Sequence, residues 1–158
     1  MTQPAFPAIL VIKIPGFKEN RPKTQTVMAE RNHTICVIDD EPSVVKAVSR
    51  IIRLAGFNVN AYASAREMLD NESLESVDLM LLDIKMPIMD GFALQAHLVA
   101  NGYRMPFVFM TAHDVEMARA TAKKRNAAAF LQKPFDERTL IAAIRRGLHI
   151  ETDGLPTA

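Results

Sequence analysis

The sequence holds a single cysteine, almost no net charge and no apolar run long enough to cross a bilayer, and each shortage removes a class of protein. With Cys36 alone, no intrachain disulfide can form; a reducing cytoplasm suits the chain, and a thiol inside an apolar run is expected to be buried and inert. A formal net charge of +1 offers no broad electrostatic footprint for nucleic acid. The apolar stretch 8–14 is far shorter than a membrane span and lacks a basic lead-in, so neither signal peptide nor membrane anchor is expected. His33, His97, His113 and His149 show no metal-ligand spacing. No Gly-x-Gly-x-x-Gly follows the first strand-like run, which disfavours dinucleotide binding.

What is present fits one globular unit with some tail, since 158 residues are too few for two ordinary domains. Apolar residues at 49% and charged residues at 23% are those of a chain that builds a core, so global disorder is excluded. Residues 1–33 carry four of the nine prolines (Pro4, Pro7, Pro15, Pro22) without sustained periodicity, the composition of a flexible leader. Met28 lies near its end as an alternative translation start, which leaves open whether residues 1–27 belong to the native product.

From Thr34 strand and helix patterns alternate. The apolar run 35–38 stops at Asp39 and Asp40. The stretch 42–55 then sets Val44, Val45, Val48, Ile51 and Ile52 on one helical face, with Pro42 at its start and Gly56 past its end. Residues 57–63 alternate as a half-buried edge strand, and Ser64 can cap a short helix. The continuous run 79–82 reads as a central strand ending in Asp83. A helix over 90–100, a strand over 107–110 ending at Thr111, a helix over 114–124, a strand over 127–131 ending near Lys133, and a helix capped by Asp136 complete five strand–helix units.

Repeated units of this kind form a parallel sheet covered on both faces, with functional groups gathered at the carboxyl ends of its strands. That edge would bring together Asp39, Asp40, Asp83, Thr111 and Lys133. Three adjacent carboxylates repel one another, so either a pKa rises or a cation sits among them. All-oxygen ligation suits Mg2+, bound directly by Asp40 and Asp83 and through water by Asp39. Thr111 and Lys133 add a hydroxyl donor and a fixed positive charge suited to phosphoryl oxygens, leaving Asp83 as nucleophile.

Over residues 33–149 the chain resembles the response-regulator receiver domains of two-component signalling, most like those of the nitrogen-fixation and nodulation regulators. The resemblance rests on Val37-Ile38-Asp39-Asp40-Glu41-Pro42, on Leu81-Leu82-Asp83-Ile84-Lys85-Met86-Pro87 with Met89-Asp90-Gly91, on Met110-Thr111-Ala112, and on Phe130-Leu131-Gln132-Lys133-Pro134-Phe135. It implies a flavodoxin-like, doubly wound (βα)5 fold with strand order 2-1-3-4-5. By similarity Asp83 is the phosphoacceptor, Asp39 and Asp40 form the acidic pair, the backbone carbonyl of Lys85 completes the metal site and Lys133 contacts the phosphoryl group.

The resemblance also makes Thr111 and Phe130 the switch pair and a cis bond at Lys133-Pro134 expected. Lys85 and His113 fall at positions that modulate phosphoryl lifetime. The implied donor is a sensor histidine kinase or histidine phosphotransfer protein. The implied readout partner is a protein bound at the face of the fourth helix, fifth strand and fifth helix, with neither nucleic acid nor membrane as partner. The Lys85 ammonium is left between phosphoryl oxygens, an acid of the pocket and solvent.

Residues 34–149 are thus the expected receiver and 150–158 a short tail without an output domain. Such a domain is no enzyme in the ordinary sense, catalysing only its own phosphorylation and dephosphorylation. Two rivals stand beside this reading. One is a phosphohydrolase with an aspartyl-phosphate intermediate, against which Lys85 occupies the place of a second acid. The other is a phosphorylation-independent binding module, against which the set of site residues is complete. The cluster Lys123, Lys124, Arg125 suits a helix carboxyl terminus, with partner binding as the alternative.

Overall fold

The carboxyl edge of a five-stranded parallel sheet organises the molecule. The structure is a computed structural model and describes residues 32–71 and 73–150; the expectations for residues 1–31 and 151–158 lie outside the described residues. The elements run β1 (Thr34–Ile38), α1 (Pro42–Leu54), β2 (Asn58–Tyr62), α2 (Ala65–Asn71), β3 (Leu79–Asp83), α3 (Gly91–Ala100), β4 (Phe107–Thr111), α4 (Val115–Lys124), β5 (Ala129–Gln132) and α5 (Glu137–Gly147), with a 3-10 turn at Leu74–Ser76 before β3. Strand order is β2-β1-β3-β4-β5, all pairs parallel, as the resemblance implied.

Alternation along each strand divides the core into two layers, because successive side chains leave opposite faces of a sheet. On one face Cys36, Ile38, Met80, Leu82 and Phe109 pack with Met68, Leu94, Leu98, Ala118 and Ala122 of α2, α3 and α4. On the other Ile35, Val37, Leu79, Leu81, Val108 and Met110 meet Val48 and Ile52 of α1 and Leu140 and Ile144 of α5. β3 and β4 are buried throughout, and the edge strand β2 is half-buried, which explains its alternating sequence.

Helix ends decide where strands can begin. At α1 the N–H groups of Gly56 and Phe57 turn back to the carbonyls of Arg53 and Ile52, with Gly56 at φ 92, a Schellman closure. The same closure ends α4, where Asn126 stands at φ 56 and the N–H groups of Asn126 and Ala127 bond to Lys123 and Ala122. Residues 126 and 127 are therefore consumed by the helix terminus, and β5 starts at Ala129 rather than at the expected 127. Asn32 and His33 are tied to β2, since both of their carbonyls accept from Asn58.

Register sets the site. Ile38 lies beside Leu82, Asp83 beside Met110 and Thr111 beside Gln132, so Asp39, Asp83, Thr111 and Lys133 emerge in a row at one edge. α3 packs close against this edge: a Cβ on Gly91 would meet the Asp83 carbonyl oxygen at 2.4 Å, and the Gly91 N–H bonds to the Ile84 carbonyl at 3.0 Å. Only glycine lets the helix approach the strand end that closely.

Candidate functional site

β1 ends by burying Asp39 completely, while the next residue, Asp40, is exposed. Both oxygens of Asp39 are engaged: Oδ1 accepts the Glu41 N–H at 2.9 Å and Oδ2 accepts from Lys133 Nζ at 2.6 Å. Asp83, 4% exposed, accepts from the same ammonium through Oδ1 at 3.2 Å. Carboxylate oxygens of Asp39, Asp40 and Asp83 all lie within 4.8 Å of one another. Lys133 follows β5, its own N–H held by the Thr111 carbonyl at 2.8 Å, and the Lys133-Pro134 bond is cis as expected.

Three carboxylates and one ammonium leave the pocket short of positive charge. Burial, then the neighbouring Asp39 charge, push the Asp83 carboxyl up to about 7, although Lys133 works in the opposite direction. Burial also opposes the charge on Lys133, but its hydrogen bond to Asp39 and the charges of Asp83 and Asp39 outweigh this and raise its pKa. A hard dication among these oxygens would relieve the repulsion, so the donor set fits Mg2+. Of the three acids Asp40 is the exposed one, while Asp39 and Asp83 are buried and share the Lys133 ammonium.

Thr111 is fully buried at the end of β4, and its Oγ1 donates to the His113 carbonyl and accepts the His113 N–H, both at 3.1 Å. Phe130 is half-buried against the α2–α4 layer, with the Arg119 guanidinium 4.8 Å from its ring centre. The Lys85 ammonium lies 3.1 Å from the Asp114 carboxylate, an ion pair joining the β3–α3 and β4–α4 loops. Beside Lys133 an apolar cleft of about 460 Å3 opens between α1 and the β5–α5 loop, lined by Val44, Ala47, Ile51, Pro134 and Phe135.

The family described as the response regulator receiver domain matches residues 35–145, most of the chain. The chain belongs to that family. This receiver is 34% identical over 124 residues to the response regulator protein TodT of Pseudomonas putida, covering 78% of this chain and 54% of TodT. It is 36% identical over 114 residues to the C4-dicarboxylate transport transcriptional regulatory protein DctD of Rhizobium meliloti, covering 72% and 25%. Among solved structures it is similar to the response regulator StyR, with 38% identity, TM-score 0.69 and coverage of 76% and 61%. The receiver thus spans about half the length of TodT.

The receiver brings Asp39, Asp40, Asp83 and Lys133 into one pocket, as the sequence led one to expect. Thr111 ends the neighbouring strand, its hydroxyl bonded to the His113 backbone and not to the carboxylates, and Phe130 packs in the α2–α4 layer. His113 contributes through its backbone, its side chain being exposed. Of the alternatives open for Lys85, solvent exposure is the one observed; no acid of the pocket holds it, and its ion-pair partner is Asp114, outside the carboxylate cluster. Sequence reasoning missed Asp114 in this role because an aspartate before a helix reads as an ordinary cap. Lys123, Lys124 and Arg125 are all exposed at the α4 terminus, but Arg125 also reaches α3, its guanidinium 5.2 Å from the Phe92 ring centre and its carbonyl accepting from Gln95 Nε2 at 3.1 Å.

Proposed function

We propose that the receiver takes a phosphoryl group onto Asp83 from the phosphohistidine of a sensor histidine kinase or phosphotransfer protein. The observation that carries this is Asp83 itself: a buried carboxylate with an ammonium at 3.2 Å and two further carboxylates within ligand distance of a shared cation. A carboxylate oxygen of Asp83 forms the new bond to phosphorus as the bond from phosphorus to the donor imidazole nitrogen breaks, and that nitrogen regains its lone pair. Asp40, Asp83 and the Lys85 carbonyl would hold Mg2+, which when bound supplies positive charge for the phosphoryl oxygens.

Lys133 bridges Asp39 and Asp83 before transfer, and its flexible stem lets the ammonium pass from Asp83 to a phosphoryl oxygen. Thr111 supplies a hydroxyl donor once it leaves the His113 backbone, and Phe130 moves inward as it goes, biasing a pre-existing equilibrium. The readout partner is a protein at the face of α4, β5 and α5; transcriptional relatives such as DctD would reach DNA through segments that this chain does not match.

Turnover of free phosphate esters is disfavoured because Lys85, held by Asp114, stands where a second acid would assist water. Incubation with acetyl phosphate or phosphoramidate and Mg2+, followed by intact mass, should give an adduct of one phosphoryl group that Asp83→Asn abolishes. A Mg2+-independent adduct, or one that persists in Asp83→Asn, overturns the reading.

A further inference from the structure

Among the described residues three helices follow an aspartate, which makes their amino termini directly comparable. Asp90 (φ −72, ψ 168) and Asp136 (φ −89, ψ 171) lie in extended backbone, and each carboxylate accepts the N–H three residues on, Ala93 at 2.7 Å and Thr139 at 2.8 Å. Asp114 occupies the same position before α4 but lies in the left-handed region, φ 47 and ψ 43, and caps nothing. Its carboxylate is turned to Lys85 at 3.1 Å.

Left-handed backbone is unfavourable for a residue with a Cβ, although aspartate tolerates it better than most. An uncapped amino terminus also forgoes the contact aspartate makes well. Against these two losses stands one ion pair, whose side chains are 58% and 71% exposed. Exposed pairs are weak and screened by salt. An arrangement held by one weak pair at the expense of a cap and of relaxed backbone is one that a small change of charge can tip.

The geometry points to Asp114 as a positioning residue that alternates between two partners: a latch on Lys85 in the unmodified protein, and a cap on α4 once Lys85 is drawn toward a phosphoryl group on Asp83. Only the trigger rests on the phosphoacceptor reading; the two arrangements do not. Lys85 lies two residues from Asp83, and a flexible ammonium follows new negative charge. Released, Asp114 enters extended backbone and its carboxylate takes the Met117 N–H, the counterpart of the bonds made by Asp90 and Asp136. Thr111 Oγ1 is bonded to both backbone groups of His113, the neighbour of Asp114, so the turn that moves is the one that holds the switch hydroxyl.

The test is backbone NMR on the full chain without phosphodonor, comparing parent, Lys85→Ala and Asp114→Asn, the last able to cap but uncharged. In both variants the Met117 amide proton should move downfield and the carbon shifts of residue 114 should pass from left-handed to extended values. Phosphoramidate with Mg2+ should produce the same displacement in the parent. The phosphoryl half-life should change about two- to fivefold in Lys85→Ala, the range an exposed pair supports, and not further when Asp114→Asn is added. Unmoved signals at 114 and 117 in both variants overturn the proposal. If the variants show the exchange while the treated parent gains no phosphoryl adduct, the latch stands and the phosphoacceptor reading falls. An adduct with the Met117 amide unmoved overturns the trigger.

Discussion

The β3–α3 and β4–α4 connections leave the same sheet edge and each carries one left-handed residue, Ile88 at φ 72 and Asp114 at φ 47, yet only the first leads into a capped helix. At β3–α3 the carbonyl of Asp83 faces Gly91 so closely that no Cβ fits, and Asp90 caps the helix. At β4–α4 the cap is unmade, the backbone of Asp114 is left-handed, and an exposed ion pair holds the loop. Asp83 thus sits where Gly91 packs against its carbonyl and Asp90 caps the following helix, while the β4–α4 side is held by an exposed ion pair that costs little to break.

The largest break in this contrast should come from Gly91→Ala. Overpacking against a strand-end carbonyl is expected to cost about 3 kcal/mol, read as a lower denaturant midpoint, with slowed phosphorylation because Asp83 is displaced. A Cβ tolerated here without loss would mean that the β3–α3 side is softer than its contacts imply.

Second is the titration of Asp83. Its carboxyl titrates near pH 7 when folded against 3.8 in its ordinary state, so the folded protein holds the proton more tightly. Stability of the metal-free protein should therefore fall as pH rises from about 4 to about 7 and level off above. Asp83→Asn should stabilise it at pH 8 by about 2 kcal/mol, allowing for screening at the open side of the pocket, a gain visible in thermal melts. Mg2+ competes with the same proton, so its affinity, followed by calorimetry, should rise about tenfold per pH unit toward 7 and then flatten.

The caps should separate next. Asp90→Ala is expected to cost about 1 kcal/mol in chemical denaturation, as loss of a made cap does. Asp114→Gly should lie within about 0.5 kcal/mol of the parent, because glycine accepts the left-handed backbone and no cap is lost. Equal costs at the two positions would erase the contrast.

Most of the pocket was readable along the chain. Asp39, Asp83 and Thr111 each close a run of apolar residues, and parallel strands with right-handed crossovers can bring such ends only to one edge. The start of β5 was less readable, because the closure of α4 at Asn126 and Ala127 depends on hydrogen bonds that no apolar periodicity signals. Gly91 carried a helix-start pattern but not its reason, since the carbonyl it must clear belongs to another element. Arg125, grouped by sequence with two lysines, proved to have a different environment from theirs.

The order of apolar runs and the residue types at their ends determined, without coordinates, a parallel sheet covered on both faces with three acids and a lysine at its carboxyl edge. Tertiary structure alone decided which of three similar aspartates caps its helix and which turns to Lys85. Local propensity treats Asp90, Asp114 and Asp136 alike; the distinction is that, among the described residues, Asp114 alone of the three is paired with a cation from a neighbouring loop.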